Sequence, residues 1–479
     1  MVKKALLGNK IRRLRQDRQL TQQQMAAQLA ISPSYLNLIE HNQRPVTVGL
    51  LLKLGQTFDV DLQDLSDDDE RRLGVALREV FADGTLHTHE VGQEDIRGLV
   101  GASPAAAKAI IELYRAYKTA REDAQSLVLG LSGGSGSAGT KRLMLPTEEA
   151  RDFFHDRTNH FPTLEISAER LWREAAPDTV DPVRGLLERG AARYGITVEV
   201  APQEHMNGAL RRYDPAARKL TLSEVLPRAS RNFQIAYQLG LIEAKTEIDA
   251  IVTDAHLSSR ETETLCRVGL ANYTAGALLM PYVPFLAAAK AARYDVEVLC
   301  HRFGVSFEQV CHRLSTLQRP GAKGVPFYLV RVDVAGNISK RFSASGFHFS
   351  RFGGSCPRWV VHEAFTTPGT IRTQIARLPD GATFFCIART LTKESGGYRE
   401  PHSQLAIGIG CELGHAREVV YADGYDLERL DAITEIGVGC RLCERDNCRQ
   451  RAFPPLQHRL MVDEKVRRVS PYAFGAEGS

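Results

Sequence analysis

Apolar residues between positions 10 and 58 recur at helical spacing in four short runs, 10–17, 21–29, 34–40 and 48–58. Within each run they lie three or four positions apart, the spacing that forms one face of an α-helix. The apolar pairs and triplet are Ile11 and Leu14, Met25 and Leu29, Leu36 and Ile39, and Leu51, Leu54 and Phe58. The pattern predicts a small all-helical bundle at the start of the chain.

The junction between the second and third runs indicates how the bundle is used. Ser32 and Pro33 provide an N-cap followed by proline at the first helical position. Two helices joined by a short turn form a helix-turn-helix, whose second helix can lie in the DNA major groove. The stretch LTQQQMAAQLAISPSYLNLIEHNQRP, residues 20–45, resembles the XRE class of such domains. The alternative is an ordinary helical bundle with no DNA role.

Charge and motif position select the residues expected to contact DNA. The first 14 residues carry Lys3, Lys4, Lys10, Arg12 and Arg13 and no acid, which is typical of a phosphate-contacting face. By motif position, Gln22 and Gln23 lie near the DNA backbone and Arg44 near a phosphate, whereas the side chains that reach base edges are Ser34, Tyr35 and Asn37.

Two further helices are predicted after this bundle. The first starts at the acidic residues 66–70 and ends near 81–84, and Ser103-Pro104 caps the second, which runs to about residue 131. Its apolar residues alternate steps of four and three, as in a coiled coil: Ala106, Ile110, Leu113, Tyr117, Ala120, Ala124, Leu127 and Leu131. Such a seam would pair two subunits into a homodimer, or would pack on its own domain. The glycine-rich residues 133–139 follow as a flexible tether.

Length and composition bound the rest. With 479 residues the chain has room for about three domains. A content of 43% hydrophobic and 25% charged residues is typical of a globular protein, and a net charge of +4 keeps any DNA-binding tendency local. No run is long and apolar enough to span a bilayer, and the start lacks a signal peptide. We therefore expect a cytoplasmic protein without a membrane partner, whose nine cysteines are thiols or metal ligands.

The order of elements from residue 145 to 281 resembles the zincin-like domain of the ImmA/IrrE regulators. A helix at 182–194, an extended run at 196–200, a hairpin at 210–222 and helices at 231–241 and 271–281 carry the resemblance. In that family, one helix holds two histidine ligands and a glutamate base, and a later glutamate is the third ligand. The corresponding residues here are Tyr237, Leu241, Gln238 and Leu270. Such residues cannot hold zinc and activate water, so we expect no peptidase and no catalytic residues.

Three later segments narrow the family: ANYTAGALLMPY, the run from RYDVEVLCHRF to GNISKR, and GGSCPRWVVHEAFTTPG. With the helix-turn-helix and the degenerate zincin, they resemble the short-chain fatty acyl-CoA regulators, which include propionate and glyoxylate-cycle gene regulators. The resemblance implies a transcription factor that controls acyl-CoA and propionate assimilation genes and binds a coenzyme A (CoA) thioester such as propionyl-CoA.

An acyl-CoA presents phosphates, an adenine and a thin apolar arm, which suit arginine forks and aromatic faces. The segment 327–359 interleaves Arg331, Lys340, Arg341, Arg351 and Arg358 with Phe327, Tyr328, Phe342, Phe347, Phe349, Phe352 and Trp359. Tyr294 adds an aromatic ring from the helical side. The predicted ligand-binding residues are Tyr273, Tyr282, Arg293, Arg341, Phe347 and Trp359. The alternative is that the aromatics form core and the arginines are solvated.

The cysteines near the C-terminus form the second strong motif. Cys440, Cys443 and Cys448 have C-x-x-C-x-x-x-x-C spacing, and Cys411, in a similarly glycine-flanked turn, is the candidate fourth ligand. The spacing allows zinc, an iron–sulfur cluster or unliganded thiols. The family resemblance favours [4Fe–4S], with Arg441, Arg445 and Arg449 offsetting its charge and donating hydrogen bonds to sulfur. The other cysteines are predicted core thiols: Cys266, Cys300, Cys311, Cys356 and Cys386.

The predicted fold is therefore multidomain α+β. It has an all-α helix-turn-helix domain at 1–65, a helical linker at 66–132, a tether at 133–144, a zincin-like α+β domain at 145–285 and a C-terminal α+β cysteine-cluster domain at 286–479. Two rival functions differ from an acyl-CoA regulator: a regulator that senses redox state or oxygen through an iron–sulfur cluster, and a zinc peptidase.

Overall fold

The chain divides into two compact units, residues 1–114 and 115–479. The structure, a computed structural model, describes residues 8–18, 20–41, 43–44, 46–58, 68–81, 91–114, 117, 146–175, 182–347, 349, 355–393, 397, 402–429, 433–443, 445–454, 460–462, 465–466, 470 and 472–474. The tether at 133–144 and the helical continuation beyond residue 117 lie outside these residues.

The first unit begins with the predicted four-helix bundle: α1 (Gly8–Asp17), α2 (Gln22–Gln28), α3 (Pro33–Glu40) and α4 (Val48–Phe58). Thr21 forms a capping box with Gln24, and the Ser32 side chain accepts a hydrogen bond from the Tyr35 amide. The predicted apolar faces meet in one core that includes Ile11, Met25, Leu36, Ile39 and Leu54. Local capping and periodicity thus confirm the predicted helices within a few residues.

Three further helices complete the first unit: α5 (Asp68–Phe81), α6 (Gln93–Ala102) and α7 (residues 104–114). Ser103 caps α7, since its hydroxyl accepts a hydrogen bond from the Ala106 amide at 3.3 Å. Ala107, Ile111 and Tyr114 of α7 pack into a core with Leu77, Val80, Ile96 and Val100. The buried face of α7 is therefore the one next to the predicted seam, whose residues here are Ala106, Ile110 and Leu113.

The second unit opens with helices around a small sheet. The helices are α8 (Pro146–Asp156), α9 (Pro162–Ala175), α10 (Pro182–Tyr194), α11 (Gln203–Met206), α12 (Arg228–Glu243), α13 (Lys245–Asp254), α14 (Arg260–Leu279), α15 (Tyr282–Ala291), α16 (Val296–Phe303) and α17 (Phe307–Leu314). The strands are β1 (Thr197–Ala201), β2 (Arg211–Asp214) and β3 (Lys219–Ser223). β3 lies between β1, to which it is parallel, and β2, with which it forms the predicted hairpin.

A six-stranded sheet follows, in the order β5-β4-β8-β7-β6-β9. Its strands are β4 (Tyr328–Asp333), β5 (Ile338–Ser343), β6 (Arg372–Arg377), β7 (Thr383–Lys393), β8 (Ser403–Glu412) and β9 (Thr434–Glu435). The short helix α18 (Val360–Glu363) packs on β6, β7 and β8. A separate ribbon pairs β10 (Leu460–Met461) with β11 (Ala473–Phe474).

The two faces of the large sheet belong to different cores. Leu329, Ile387, Ile407 and Cys411 join a core that extends back to Ala150 in α8. Because side chains alternate along a strand, Tyr328, Cys386 and Ala406 lie on the other face, with α18. The shared first core shows that residues 145–285 and 286–479, expected as separate domains, are built around one hydrophobic interior.

A buried ion pair reinforces this shared interior. Arg313 of α17 and Glu165 of α9 are 2.6 Å apart, and their side chains are 2% and 1% exposed. Arg313 also donates to the Met280 carbonyl oxygen at 2.8 Å. Among the described residues no single helix is long and apolar enough to cross a membrane; only the bent pair Arg260–Leu279 and Tyr282–Ala291 passes on length and composition together.

Candidate functional site

The exposed surface of α3 carries the residues predicted to reach DNA bases. Ser34 and Asn37 are exposed, whereas Tyr35 is half-buried against the helical core and does not point fully outward as expected. Gln22 donates to the Asn37 side-chain oxygen at 3.2 Å and to the Glu40 carboxylate at 2.8 Å. The start of α2 therefore holds the recognition side chain of α3 in place.

Glu40 anchors this polar contact from inside the bundle. It is 1% exposed, and Arg15 of α1 donates to its carboxylate at 2.6 Å. Burial alone would raise the pKa of Glu40, but hydrogen bonds from Arg15 and Gln22 outweigh it and the pKa lies below its ordinary value. The charged form of Glu40 thus links α1, α2 and α3 beneath the predicted DNA surface.

The remaining predicted DNA contacts are only partly described. Gln23, Arg44 and Arg12 are exposed, as phosphate contacts require. Lys3 and Lys4 lie outside the described residues, and so do the side chains of Lys10 and Arg13.

The positions of the lost zincin ligands form a packed interior. Tyr237 and Gln238 of α12 are 6% and 3% exposed, and Leu270 of α14 is fully buried. Arg211 of β2 donates to the Gln238 side-chain oxygen at 2.7 Å, and its guanidinium lies 4.1 Å from the centre of the Tyr237 ring. Arg211 thus contacts two of the positions that carry the metal motif in the family, and the tyrosine, glutamine and leucine at these positions are not zinc ligands.

Two of the predicted CoA contacts belong to the interior. The Tyr273 hydroxyl donates to Glu165 at 2.5 Å. The Tyr282 hydroxyl donates to the Ala322 carbonyl oxygen at 2.9 Å and accepts from the Arg319 amide at 2.8 Å. Both hydroxyls are engaged within the fold and both rings are buried, so Tyr273 and Tyr282 have structural partners here and their contact with a ligand stays a prediction.

The two predicted arginines, Arg293 and Arg341, make contacts that are separate from each other. Arg293 forms an exposed ion pair with Asp423 at 2.7 Å, beside an open cleft of about 320 Å³. That cleft also holds Arg417, Asp426 and Glu428, so its charges are mixed. Arg341 of β5 lies 3.7 Å from Glu148 of α8.

Phe347 and Trp359 do come together. Their rings stack with centres 5.0 Å apart and an interplanar angle of 18°, and Tyr328 and Phe384 surround them. The Tyr328 hydroxyl and the Trp359 indole N–H lie beside the Cys386 thiol, and neither makes a well-formed hydrogen bond among the described residues. Arg351 and Phe352 lie outside those residues. The six predicted ligand residues therefore do not form one site; Phe347 and Trp359 are the pair that the structure unites.

The C-terminal cysteines lie on a loop that leaves the sheet at β9. A short 3₁₀ turn covers Cys440–Leu442. A Cβ atom at Gly437 would lie 2.9 Å from the Cys443 sulfur, so the glycine is needed for the loop to pass the sulfur closely. The Ala452 amide donates to the Cys440 sulfur at 3.5 Å, and the Arg445 amide donates toward Cys443.

The fourth cysteine near this loop is Cys356. Burial raises the pKa of its thiol, while the amides of Gly437 and Arg358 donate toward its sulfur and act in the opposite direction. Cys440 and Cys443 also lie near enough to influence Cys356 electrostatically. The sequence predicts Cys356 as a core thiol, although Gly353-Gly354-Ser355-Cys356-Pro357 is a glycine-flanked segment like the one around Cys411.

Cys411 is not beside the other three. It is fully buried in β8 and belongs to the core on the helix-covered face of the large sheet. Cys356 and the loop residue Ile436 belong to the core on the opposite face. The structure therefore contradicts the prediction that Cys411 is the fourth ligand. Among the remaining cysteines, Cys266, Cys311 and Cys386 are buried and Cys300 is half-buried.

Arginines hold the cysteine loop through its backbone. Arg451, which is 5% exposed and which the sequence did not single out, donates to the carbonyl oxygens of Cys440 at 3.0 Å and Cys443 at 2.8 Å. Arg445 donates to the carbonyl oxygens of Ile436 and Arg377, and Arg441 lies over the Phe453 ring. The sequence predicted that arginines donate hydrogen bonds to sulfur. The arginine contacts in the structure go instead to carbonyl oxygens and to an aromatic ring. Arg449 is exposed.

Comparisons with known proteins agree with the three parts of the chain. Residues 11–65 match the helix-turn-helix family model, residues 191–315 the IrrE N-terminal-like domain, and residues 316–472 the C-terminal region of short-chain fatty acyl coenzyme A regulators. The HTH-type transcriptional regulator RamB of Mycobacterium tuberculosis H37Rv is 43% identical over 472 residues, 98% of either chain. The chain belongs to the short-chain fatty acyl-CoA regulators.

Other relatives of this regulator have the same organisation. PrpR of Mycobacterium tuberculosis H37Rv is 43% identical, with 97% of this chain and 95% of PrpR aligned. The propionyl-CoA carboxylase regulator of Cereibacter sphaeroides is 41% identical over 98% of this chain and 99% of its own. A solved structure of a Mycobacterium tuberculosis transcriptional regulator, 46% identical, covers 69% of this chain and all of its own with a TM-score of 0.66. The regulator is thus a helix-turn-helix transcription factor.

Proposed function

We propose that the regulator binds an operator through its first unit and a short-chain acyl-CoA of the propionyl-CoA type through its second unit, and that it controls genes of acyl-CoA and propionate assimilation. The observation that carries the proposal is the match of residues 316–472 to the C-terminal region of short-chain fatty acyl coenzyme A regulators in a chain that begins with a helix-turn-helix domain. We also infer that the regulator works in the cytoplasm, together with the DNA that it binds. It acts by binding, not by catalysis.

The effector part of the proposal is tested by direct titration. Calorimetry of the full-length protein with propionyl-CoA, acetyl-CoA and free CoA is expected to give saturable heats that depend on the acyl group. Phe347 and Trp359 remain the candidates for contacts with the acyl end, because aromatic walls with few polar groups are typical of ligand pockets. The absence of saturable binding by any short-chain CoA thioester to folded protein contradicts the proposal.

We further propose that Cys356, Cys440, Cys443 and Cys448 hold one metal centre, a [4Fe–4S] cluster in preference to zinc. Among the described residues, no three Cys, His, Asp or Glu side chains lie close enough together to bind one metal ion. Support comes from the surroundings of the sulfur atoms instead. Backbone amides donate toward Cys356, Cys440 and Cys443, and such N–H groups stabilise thiolate ligands. Four thiolates suit either metal centre.

Metal analysis of anaerobically purified variants tests this assignment. Cys356→Ser and Cys443→Ser are expected to lose metal, whereas Cys411→Ser, a matched control on the other face of the sheet, keeps it. Brown colour that bleaches in air identifies the cluster, and a colourless zinc protein favours the structural alternative. Full metal content in Cys356→Ser contradicts its role, and no iron or zinc in the wild type contradicts the centre itself.

A second candidate function is redox or oxygen sensing through the same centre. The observation that favours it is the turn in which the Trp359 amide donates to the Cys356 carbonyl oxygen at 3.0 Å, which connects the sulfur group to the aromatic cluster. Operator binding measured before and after air oxidation, with and without propionyl-CoA, separates the functions. An oxygen response without any thioester response favours the sensor.

We also propose that the regulator is a homodimer that pairs through the predicted seam on α7. Leu113 is 71% exposed, although it is a large apolar side chain in a helix whose adjacent face is buried. An apolar residue exposed in this way is typical of a surface that a partner covers. A dimer also matches the two-fold symmetry of most helix-turn-helix operators.

A further inference from the structure

Three basic side chains meet at one end of the large sheet. Arg331 of β4 and Lys340 of β5 are directly opposite each other, on the face that the helices cover. Lys393, at the end of β7, extends toward the same place, where α17 packs over β8. The helix contributes Glu308 and His312. Arg331, Lys340, Lys393, Glu308 and His312 together form the basic recess.

Glu308 is the counter-ion inside the basic recess. Its carboxylate accepts a hydrogen bond from Arg331 at 2.7 Å and lies 3.6 Å from the Lys393 ammonium and 4.0 Å from the His312 ring. Arg331 also donates to the Ser339 hydroxyl at 2.9 Å. The nearby Arg389 is paired with Glu297 at 2.9 Å and adds no net charge. Lys340 makes no ion pair with any residue that the structure describes.

The charges of the basic recess do not balance. Arg331, Lys340 and Lys393 are cations, and Glu308 is a single anion. Burial and the neighbouring cations hold the pKa of His312 well below its ordinary value, so the ring is neutral near pH 7 and gains a positive charge only in acid. Desolvation, together with the positive charges of Arg331 and Lys393, lowers the pKa of Lys340 to about 8, and Glu308 opposes the shift only in part. A half-buried place with an excess of two positive charges favours an anion of charge two or more.

We propose that the basic recess binds the phosphate groups of the CoA thioester and that incoming phosphate displaces Glu308 from Arg331. This inference rests on the proposed acyl-CoA function. Arg331 and Glu308 are 23% and 19% exposed, a depth that suits a compact phosphate better than the broad surface of a DNA duplex. Because β5 is an edge strand, the thin arm of CoA can pass around it toward the aromatic cluster on the other face.

Calorimetry of the full-length protein tests the proposal with two probes, propionyl-CoA and adenosine 3′,5′-bisphosphate. Lys340→Gln is the decisive variant, because its exposed side chain makes no ion pair that folding needs. We expect the Kd of both probes to rise about tenfold or more, as loss of a charge-assisted hydrogen bond does. Arg331→Gln is expected to behave similarly. Glu308→Gln is expected to tighten binding several-fold, because it removes the competing anion.

Arg417→Gln is the matched control, since it removes an exposed arginine that pairs with Glu428 elsewhere in the unit. Its Kd should equal that of the wild type. If the wild type binds propionyl-CoA and Lys340→Gln binds it equally well, the basic recess is overturned while the acyl-CoA function stands. If the wild type binds no thioester, the proposed function fails, and binding of the bisphosphate then decides whether a phosphate site exists. If Lys340→Gln or Arg331→Gln weakens DNA binding but leaves the Kd of both probes unchanged, the assignment of the basic recess as a phosphate site is also overturned.

Discussion

At the scale of single residues, one predicted base contact on α3 is already held in place within the bundle. Gln22 holds Asn37 by a hydrogen bond and is itself held by the buried Glu40. Pre-ordering of this kind lowers the entropy lost when the side chain contacts DNA. Asn37 is therefore the strongest candidate for sequence recognition among the predicted contacts.

We expect Asn37→Ala to weaken operator binding by about 1–3 kcal/mol, or about fivefold and more, because a bidentate base contact is lost. Binding to unrelated duplex DNA should change little. Fluorescence anisotropy with operator and non-operator duplexes at one salt concentration measures the difference. Gln28→Ala, at an exposed position near the end of α2, is the control. Equal operator affinity for the wild type and Asn37→Ala would refute the assignment.

Glu308 gives the second prediction at this scale. Burial would raise the pKa of Glu308, but His312, Lys393 and Arg331 lower it from 4.5 to about 2. A carboxylate with a depressed pKa in the folded state stabilises the protein above its unfolded pKa and loses that contribution as pH falls. Between pH 5 and pH 3 the wild type should therefore lose about 2 kcal/mol of unfolding free energy that Glu308→Gln does not lose.

Urea unfolding at both pH values measures this difference, with Glu204→Gln, an exposed carboxylate, as the control. The control should follow the wild type, because its carboxyl group is solvated in both states. An equal loss for the wild type and Glu308→Gln would mean that Glu308 is not electrostatically held in solution.

The cysteines show what a single residue's sequence context can predict. The spacing of Cys440, Cys443 and Cys448 and the glycines around them indicated a shared loop, and the structure has that loop. The fourth cysteine could not be chosen from the sequence, because glycines flank both Cys356 and Cys411. The choice depends on which face of the sheet each sulfur occupies, and that follows from strand register, which periodicity alone does not give.

At the scale of elements, the helices were the predictable part. Caps at Thr21, Ser32 and Ser103 and apolar spacing located α2, α3 and α7 near their observed starts. The large sheet was not predictable from the sequence, because its strand order brings β8 between β4 and β7. The predicted ligand residues were scattered for the same reason: Tyr273 of α14 donates to the buried Glu165, and the ring of Tyr282 in α15 lies beside Arg313.

The exposed apolar face of α7 predicts the oligomeric state. Leu113→Asp should convert the dimer to a monomer, because it places a charge in the apolar seam, and it should leave the fold intact, because the side chain is 71% exposed. Light scattering measures the mass and circular dichroism the fold. Lys108→Asp, an exposed substitution on another face of α7, should remain dimeric. A dimer that survives Leu113→Asp would place the interface elsewhere.

At the scale of the whole molecule, the family boundaries and the physical boundaries differ. The IrrE-like match ends at residue 315 and the acyl-CoA regulator match begins at residue 316. One hydrophobic core nevertheless runs across that point, from Ala150 to Ala422. The zincin-like region is therefore structural support for the C-terminal region, which gives a physical reason for a zincin-like fold whose metal-ligand positions hold Tyr237, Leu241 and Leu270.

This shared core predicts how the chain can be cut. A fragment of residues 140–479 should fold and bind propionyl-CoA with the affinity of the full-length protein, because the second unit has its own core. A fragment of residues 286–479 should fail to fold cooperatively. It exposes the core that packs on α9 and α14 and leaves Arg313 without Glu165, and an uncompensated buried charge of this kind costs about 3–5 kcal/mol. Thermal unfolding followed by circular dichroism compares the two fragments. A cooperative transition and thioester binding in the shorter fragment would show that the zincin-like region is dispensable. That result would contradict the conclusion that the two regions fold as one body.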